Sequence, residues 1–198
     1  MKATFVVPIV EGNGEVNAVP CLLSRIAEAS TAFGHCEVSR PIRIRADRFR
    51  TNGDDRRRHV ELAARRARSH PRGMVLLLLD SEDVCPAQAG QTLQRELRAV
   101  RADVPYLVVL AYREFETWFL AAARSLRGCC GLLVDLLPPD APERIRDAKG
   151  WLSDRMPNGY DPVVHQLELT CHFSLDEACT VPSFARFRRR FEELVARL

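Results

Sequence analysis

A chain of 198 residues with 46% hydrophobic content is long enough for one domain and apolar enough for a core, which excludes a disordered polypeptide. The apolar run before Glu11 is too short to span a bilayer and lacks a basic leader with a cleavage site, so the expected location is cytoplasmic, away from membranes. The net charge of +3 is modest, and seven cysteines, an odd number without C-x-x-C spacing, point to neither a disulfide framework nor a zinc ribbon but to reduced, mostly buried thiols.

The first two thirds of the chain alternate strand and helix patterns. Residues 3–10 (TFVVPIV at the centre) read as a buried strand, and helical spacing of Val19, Leu22, Leu23 and Ile26 predicts a helix from about Asn17 through Ser30. A weaker alternating pattern from Glu37 to Arg45 predicts a second strand. The loop Asn52-Gly53-Asp54-Asp55 leads into a basic helix that ends near His70, punctuated by Pro71 and Gly73. Met74 to Leu79 is the most hydrophobic run and the expected central strand. Gln88 to Arg101 reads as a helix, Tyr106 to Ala111 as a fourth strand and Glu114 to Arg127 as a further helix.

This order predicts an α/β fold: a mostly parallel four-stranded sheet with helices on both faces. Beyond it lie a turn-rich stretch from Leu132 to Pro142, a short helix near Glu143 to Leu152, an irregular segment through Pro157-Asn158-Gly159 and a terminal helix from about Ser183. The expected organisation is a core over residues 1–127 and a C-terminal helical extension over 128–198, packed together as one unit.

Arg40 to Arg72 holds twelve arginines against Asp47, Asp54, Asp55 and Glu61, whereas lysine occurs only at Lys2 and Lys149. Such an excess forms either a surface for nucleic-acid phosphates or an acidic partner, or a solvated helix face around Arg56 to Arg68.

Two acidic motifs follow the two most apolar strands: Glu11-Gly12-Asn13-Gly14-Glu15 and Asp80-Ser81-Glu82-Asp83. In open parallel sheets ligands collect beyond the carboxyl ends of the strands, so these acids are expected to converge. Two unit charges about 4 Å apart repel by roughly 4 kcal/mol at an effective dielectric near 20, and neither motif contains Lys or Arg. Such a cluster must take up protons or bind a cation, and Mg²⁺ or Mn²⁺ suits carboxylates on short turns.

Glu11, Asp80 and Glu82 are the leading candidates. The glycine after Glu11 permits a tight turn and close approach of a phosphate. Glu15 is either a further ligand or a first-turn helix acid, and Asp83 either a ligand or a cap for the next segment. In Arg113-Glu114-Phe115-Glu116, helical spacing would let at most one acid face the site, Glu116 before Glu114. His165 and His172 lack metal-ligand spacing and are expected to be structural. No Walker A, GxGxxG or G-x-S-x-G pattern is present.

Together the motifs resemble the Toprim superfamily, a small parallel α/β fold with a Glu after its first strand and a DxD-type pair after a later one. Glu11 within VEGNGE, and Asp80 and Glu82 within LLLLDSEDVCP, occupy those positions. YREFETWFLA, DAKGWL and VPSFARFRRRFEEL are similar to a family of small bacterial Toprim-like proteins often encoded beside ATPases. The resemblance implies a Mg²⁺-dependent phosphodiester site, with Glu11 as general acid or base, Asp80 and Glu82 as ligands, and Glu116 or Glu114 completing it. Glu82 departs from the usual second Asp, moving its carboxylate by about one bond length.

The implied activity is that of a small nuclease, linked through its ATPase neighbour to anti-phage or DNA processing. A non-catalytic module that binds and regulates that ATPase is the alternative, and a nucleotide-handling phosphotransferase a third reading.

Overall fold

The structure, a computed structural model, describes residues 3–30 and 35–198. Strand β1 (Thr4–Val10) leads through helix α1 (Glu15–Ala29) to two short strands, β2 (Cys36–Val38) and β3 (Ile42–Arg43). Where the sequence pattern predicts one strand, Ser39, Arg40 and Pro41 interrupt it, because proline cannot donate to a ladder. Both pieces nonetheless pair in parallel with β1, at Thr4–Val6 and at Ile9–Val10.

Helix α2 (Ala46–Thr51) and the basic helix α3 (Gly53–Arg68) then cross to β4 (Gly73–Asp80). The Asn52 side chain starts α3 by accepting the N–H groups of Asp54 and Asp55. Helix α4 (Pro86–Val100) connects β4 to β5 (Tyr106–Ala111). All pairings are parallel, in the order β2-β1-β4-β5 with β3 also on β1. The result is the expected α/β architecture, with five strands among the described residues.

Alternation along the strands feeds two cores. Val6, Val10, Leu76, Leu78, Leu107 and Val109 face α1 and the C-terminal helices, while Val7, Ile9, Val75, Leu77, Leu79 and Val108 face α2, α3 and α4. Coverage on both faces explains why β4 reads as an unbroken apolar run rather than an alternating one.

The predicted helix from Glu114 is shorter and starts later: α5 spans Thr117–Ala121, and a 3₁₀ turn follows at Ala123–Leu126. Then come α6 (Ala148–Ser153), α7 (Pro162–His172), α8 (Leu175–Ala178) and α9 (Pro182–Arg197). Phe184, Phe187, Phe191 and Val195 of α9 are buried at helical spacing and join the same core as α1 and β5. Residues 128–198 therefore share their core with the sheet.

The chain leaves β1 for β2 and β3 on one side and returns to β4 on the other. The carboxyl ends of β1 and β4 thus flank the point where the strand order reverses, and there the crevice of an open sheet forms.

Candidate functional site

Glu11 follows β1 directly and Asp80 ends β4, with Ile9 of β1 in register with Leu77 of β4. The Glu11 carboxylate lies close enough to the Asp80 backbone N–H to be eased by it, so the two acids meet at the reversal point. Burial raises Glu11 above the ordinary carboxylate range; Arg50 of α2 partly offsets this, and Glu82 adds to it. Glu11 Oε2 is buried and has no hydrogen-bond partner among the described residues.

Asp80 is pushed well above its ordinary value by burial, and by the charges of Glu15 and Glu116. Its Oδ1 accepts the Phe115 N–H at 2.8 Å, and its backbone carbonyl accepts from Arg50. Glu82 is exposed and holds a left-handed backbone at φ 52°, a conformation that costs a β-carbon-bearing residue about 1 kcal/mol or more and collects at functional sites. Its carboxylate adds a like charge near Glu11.

Glu15, at the first position of α1, folds back to accept the N–H groups of Glu11, at 3.1 Å, and Gly12. Burial pushes its carboxyl up to about 7, despite those bonds. Gly14 has a different use from phosphate contact: a β-carbon there would overlap the Pro162 carbonyl and the Gln166 side chain, so α7 packs directly on this turn. Asp83 neither caps α4 nor faces the cluster; it is exposed and pairs with Arg113 at 2.9 Å and Arg146 at 3.6 Å.

Glu114 and Glu116 both reach the site, contrary to the helical-spacing argument, because both precede α5 and lie on a turn. Glu114 Oε2 accepts the N–H groups of Ala148 at 3.0 Å and Lys149 at 3.2 Å, docking the start of α6. That placement sends the Lys149 ammonium into the acids, 3.1 Å from Glu116, 3.4 Å from Glu114 and 3.9 Å from Asp80. Glu116 is 1% exposed, and its other oxygen accepts from the Tyr160 hydroxyl at 3.0 Å and Gln166 at 3.3 Å. Although burial acts against its charge, the three carboxylates hold Lys149 above its ordinary value.

Sequence spacing missed Lys149, Tyr160, Gln166 and Arg50. The one available signal was that an arginine-rich chain keeps a lysine at 149. Neither motif contains a cation of its own, but chain-distant ones reach them: Lys149 from α6 meets Asp80, and Arg113 and Arg146 pair with Asp83.

Glu11 Oε2 is buried without a hydrogen-bond partner among the described residues, Asp80 Oδ2 has Lys149 at 3.9 Å, the Glu82 carboxylate is exposed, and Glu116 Oε2 is held only by the Lys149 ammonium at 3.1 Å. An all-oxygen set of this kind fits a hard divalent ion. Glu15, Glu114 and Glu116 are already engaged. The acids do not close on a single point, however: the described group of three metal-type side chains with ligand atoms within 4.8 Å of one another is Cys129, Glu168 and His172, elsewhere in the fold.

Near the cluster α2 contributes Arg50, and Arg43 and Arg48, both exposed, lie on the adjoining β3 and α2 without a carboxylate partner among the described residues. Much of the remaining arginine run is paired: Arg45 with Asp47, Arg57 and Arg65 with Glu61, Arg68 with Asp103. No helix among the described residues is long and apolar enough to cross a membrane.

The family described as a domain of unknown function, DUF4276, matches residues 10–192, and the chain belongs to it. No curated protein and no solved structure matches the chain.

Proposed function

We propose that this DUF4276 member is a Toprim-like, Mg²⁺- or Mn²⁺-dependent phosphodiester hydrolase, a nuclease acting in the cytoplasm. The observation that carries the reading is the buried, unpartnered Oε2 of Glu11 beside the raised carboxyl of Asp80 and the exposed Glu82, at the reversal point of a parallel sheet. Asp80 and Glu82 are the ligands in this reading. Glu11, whose burial favours the protonated form, serves as general base or acid.

The ion, when bound, supplies polarisation of a phosphoryl oxygen and acidification of water. Glu15 and Glu114 hold the two turns that carry these groups, through the N–H groups of Glu11 and Lys149. Lys149, 3.9 Å from Asp80, is close enough to meet a phosphate oxygen there, and the exposed Arg43, paired in register with Val10, and Arg48 of α2 are free to meet a polynucleotide backbone. An ATPase encoded nearby is the proposed partner, in anti-phage defence or DNA processing.

The position of Lys149 favours a second reading. An ammonium 3.1 Å from Glu116 supplies a cation without any metal, as a non-catalytic module regulating an ATPase would need. Incubating labelled single- and double-stranded DNA and RNA with the protein in Mg²⁺ or Mn²⁺, with and without the neighbouring ATPase, separates the two. Cleavage lost in Glu11→Gln supports the nuclease, and ATPase binding without cleavage in either ion supports the module.

A further inference from the structure

Helix α7 carries Glu168 and His172 four residues apart, hence on one face. Beside them is the turn at Cys129–Gly131, and one ligand atom from each of Cys129, Glu168 and His172 lies within 4.8 Å of the others. His172 Nδ1 stands 2.8 Å from the Glu168 carbonyl oxygen. A carbonyl only accepts, so Nδ1 carries the proton and Nε2 presents its lone pair. Metal-ligating histidines are commonly oriented in this way, by donation of the other ring N–H to a backbone carbonyl.

Cys130 has φ 52°, a left-handed backbone that a β-carbon disfavours, and its thiol lies 3.8 Å from that of Cys129. Two sulfurs bound tetrahedrally to zinc at about 2.3 Å stand about 3.8 Å apart. The unusual turn therefore sets two sequence-adjacent thiols at the spacing of two zinc ligands.

We propose that Cys129, Glu168 and His172 form a structural Zn²⁺ site, with the Cys130 thiol, 3.8 Å from that of Cys129 but outside the 4.8 Å group, turning in as the fourth ligand. Two thiolates, an imidazole and a carboxylate make a four-coordinate set suited to zinc and poorly suited to Mg²⁺. Four protein ligands close the site, so it serves to tie the 129–131 turn to α7. The same helix holds Gln166 against Glu116 and packs on Gly14, so the tie steadies one wall of the acidic cluster. C-x-x-C spacing could not reveal the site, because its halves come from a turn and from a helix far along the chain.

The test uses full-length protein, purified under reducing conditions, stripped with a chelator and titrated with Zn²⁺ against a chromophoric competitor. One equivalent of Zn²⁺ with a rise in melting temperature is expected, and Co²⁺ in its place should show thiolate charge-transfer bands and the intense visible absorption of a tetrahedral site. Cys129→Ser and His172→Gln should weaken Zn²⁺ binding by at least about tenfold, and Cys85→Ser should leave it unchanged. Glu168 and His172 are exposed, so His172→Gln and Glu168→Gln should fold in the absence of metal, as circular dichroism can verify. No stoichiometric binding, an octahedral Co²⁺ spectrum, or wild-type affinity in both Cys129→Ser and His172→Gln would overturn the proposal.

Discussion

The Lys149 ammonium lies 3.1 Å from the buried Glu116 carboxylate, and this ion pair binds the C-terminal helices to the end of β5. Glu116 has almost no access to water, so removing its cation strands a charge. Lys149→Ala should destabilise the protein at pH 8 in chelator by about 2 kcal/mol, below the full range for a buried pair because the lysine is partly exposed. Burial already raises the Glu116 carboxyl, so acid should protonate it and shrink the deficit towards pH 5. Denaturant unfolding of both proteins at the two pH values checks this, and a deficit independent of pH would show that Lys149 acts through packing alone.

Glu15 predicts a second pH effect. Burial places its folded value at about 7 against an ordinary 4.5, so between those values the native state holds a proton that the unfolded state has released. Stability from this group is therefore full below about pH 4.5, declines as pH rises to about 7 and is flat above. Glu15→Gln should be nearly neutral near pH 4.5 and stabilising by about 1–3 kcal/mol at pH 8. Unfolding free energies measured across that window test the sign, and a stabilisation that grows as pH falls would contradict it.

The rim arginines give a prediction on binding. If duplex DNA lies across Arg43 and Arg48, log K for binding should fall with log salt, and each arginine replaced by alanine should reduce the slope by up to about 0.9. A titration series on the wild type and on Arg43→Ala/Arg48→Ala measures it. An unchanged slope would place any polynucleotide elsewhere.

How far the sequence carried these conclusions depended on the range of each interaction. Tyr106–Ala111 was readable to the residue because a strand covered on both faces is apolar throughout. Asp80 and Glu11 were readable as a pair because parallel-strand ends must lie at one edge of a sheet. Helix α7 was missed: Val163, Val164 and Leu167 are exposed, which blurs its apolar face, although Asp161 before Pro162 is a recognisable start and its side chain accepts the Val163 N–H. Glu114 and Glu116 were assigned by a helical period that begins only at Thr117. Lys149, Tyr160 and Gln166 meet Glu116 through chain-distant packing, which no local spacing encodes.

The central claim is that Asp80 belongs to a site built for a divalent ion. Asp80→Asn removes one carboxylate from a cluster that includes Glu11, Glu15 and Glu116 while leaving an oxygen to accept the Phe115 N–H. In chelator it should stabilise the protein by about 1 kcal/mol. Wild type should gain melting temperature on addition of Mg²⁺ or Mn²⁺, since an ion that binds the native state stabilises it by mass action, and Asp80→Asn should lose that gain. The decisive measurement is the melting temperature of both proteins with and without the divalent ion. No ion-dependent rise in the wild type, together with an Asp80→Asn variant that is neutral or destabilised in chelator, would mean that Asp80 is a structural acceptor for the Phe115 turn and that the metal-dependent reading is wrong.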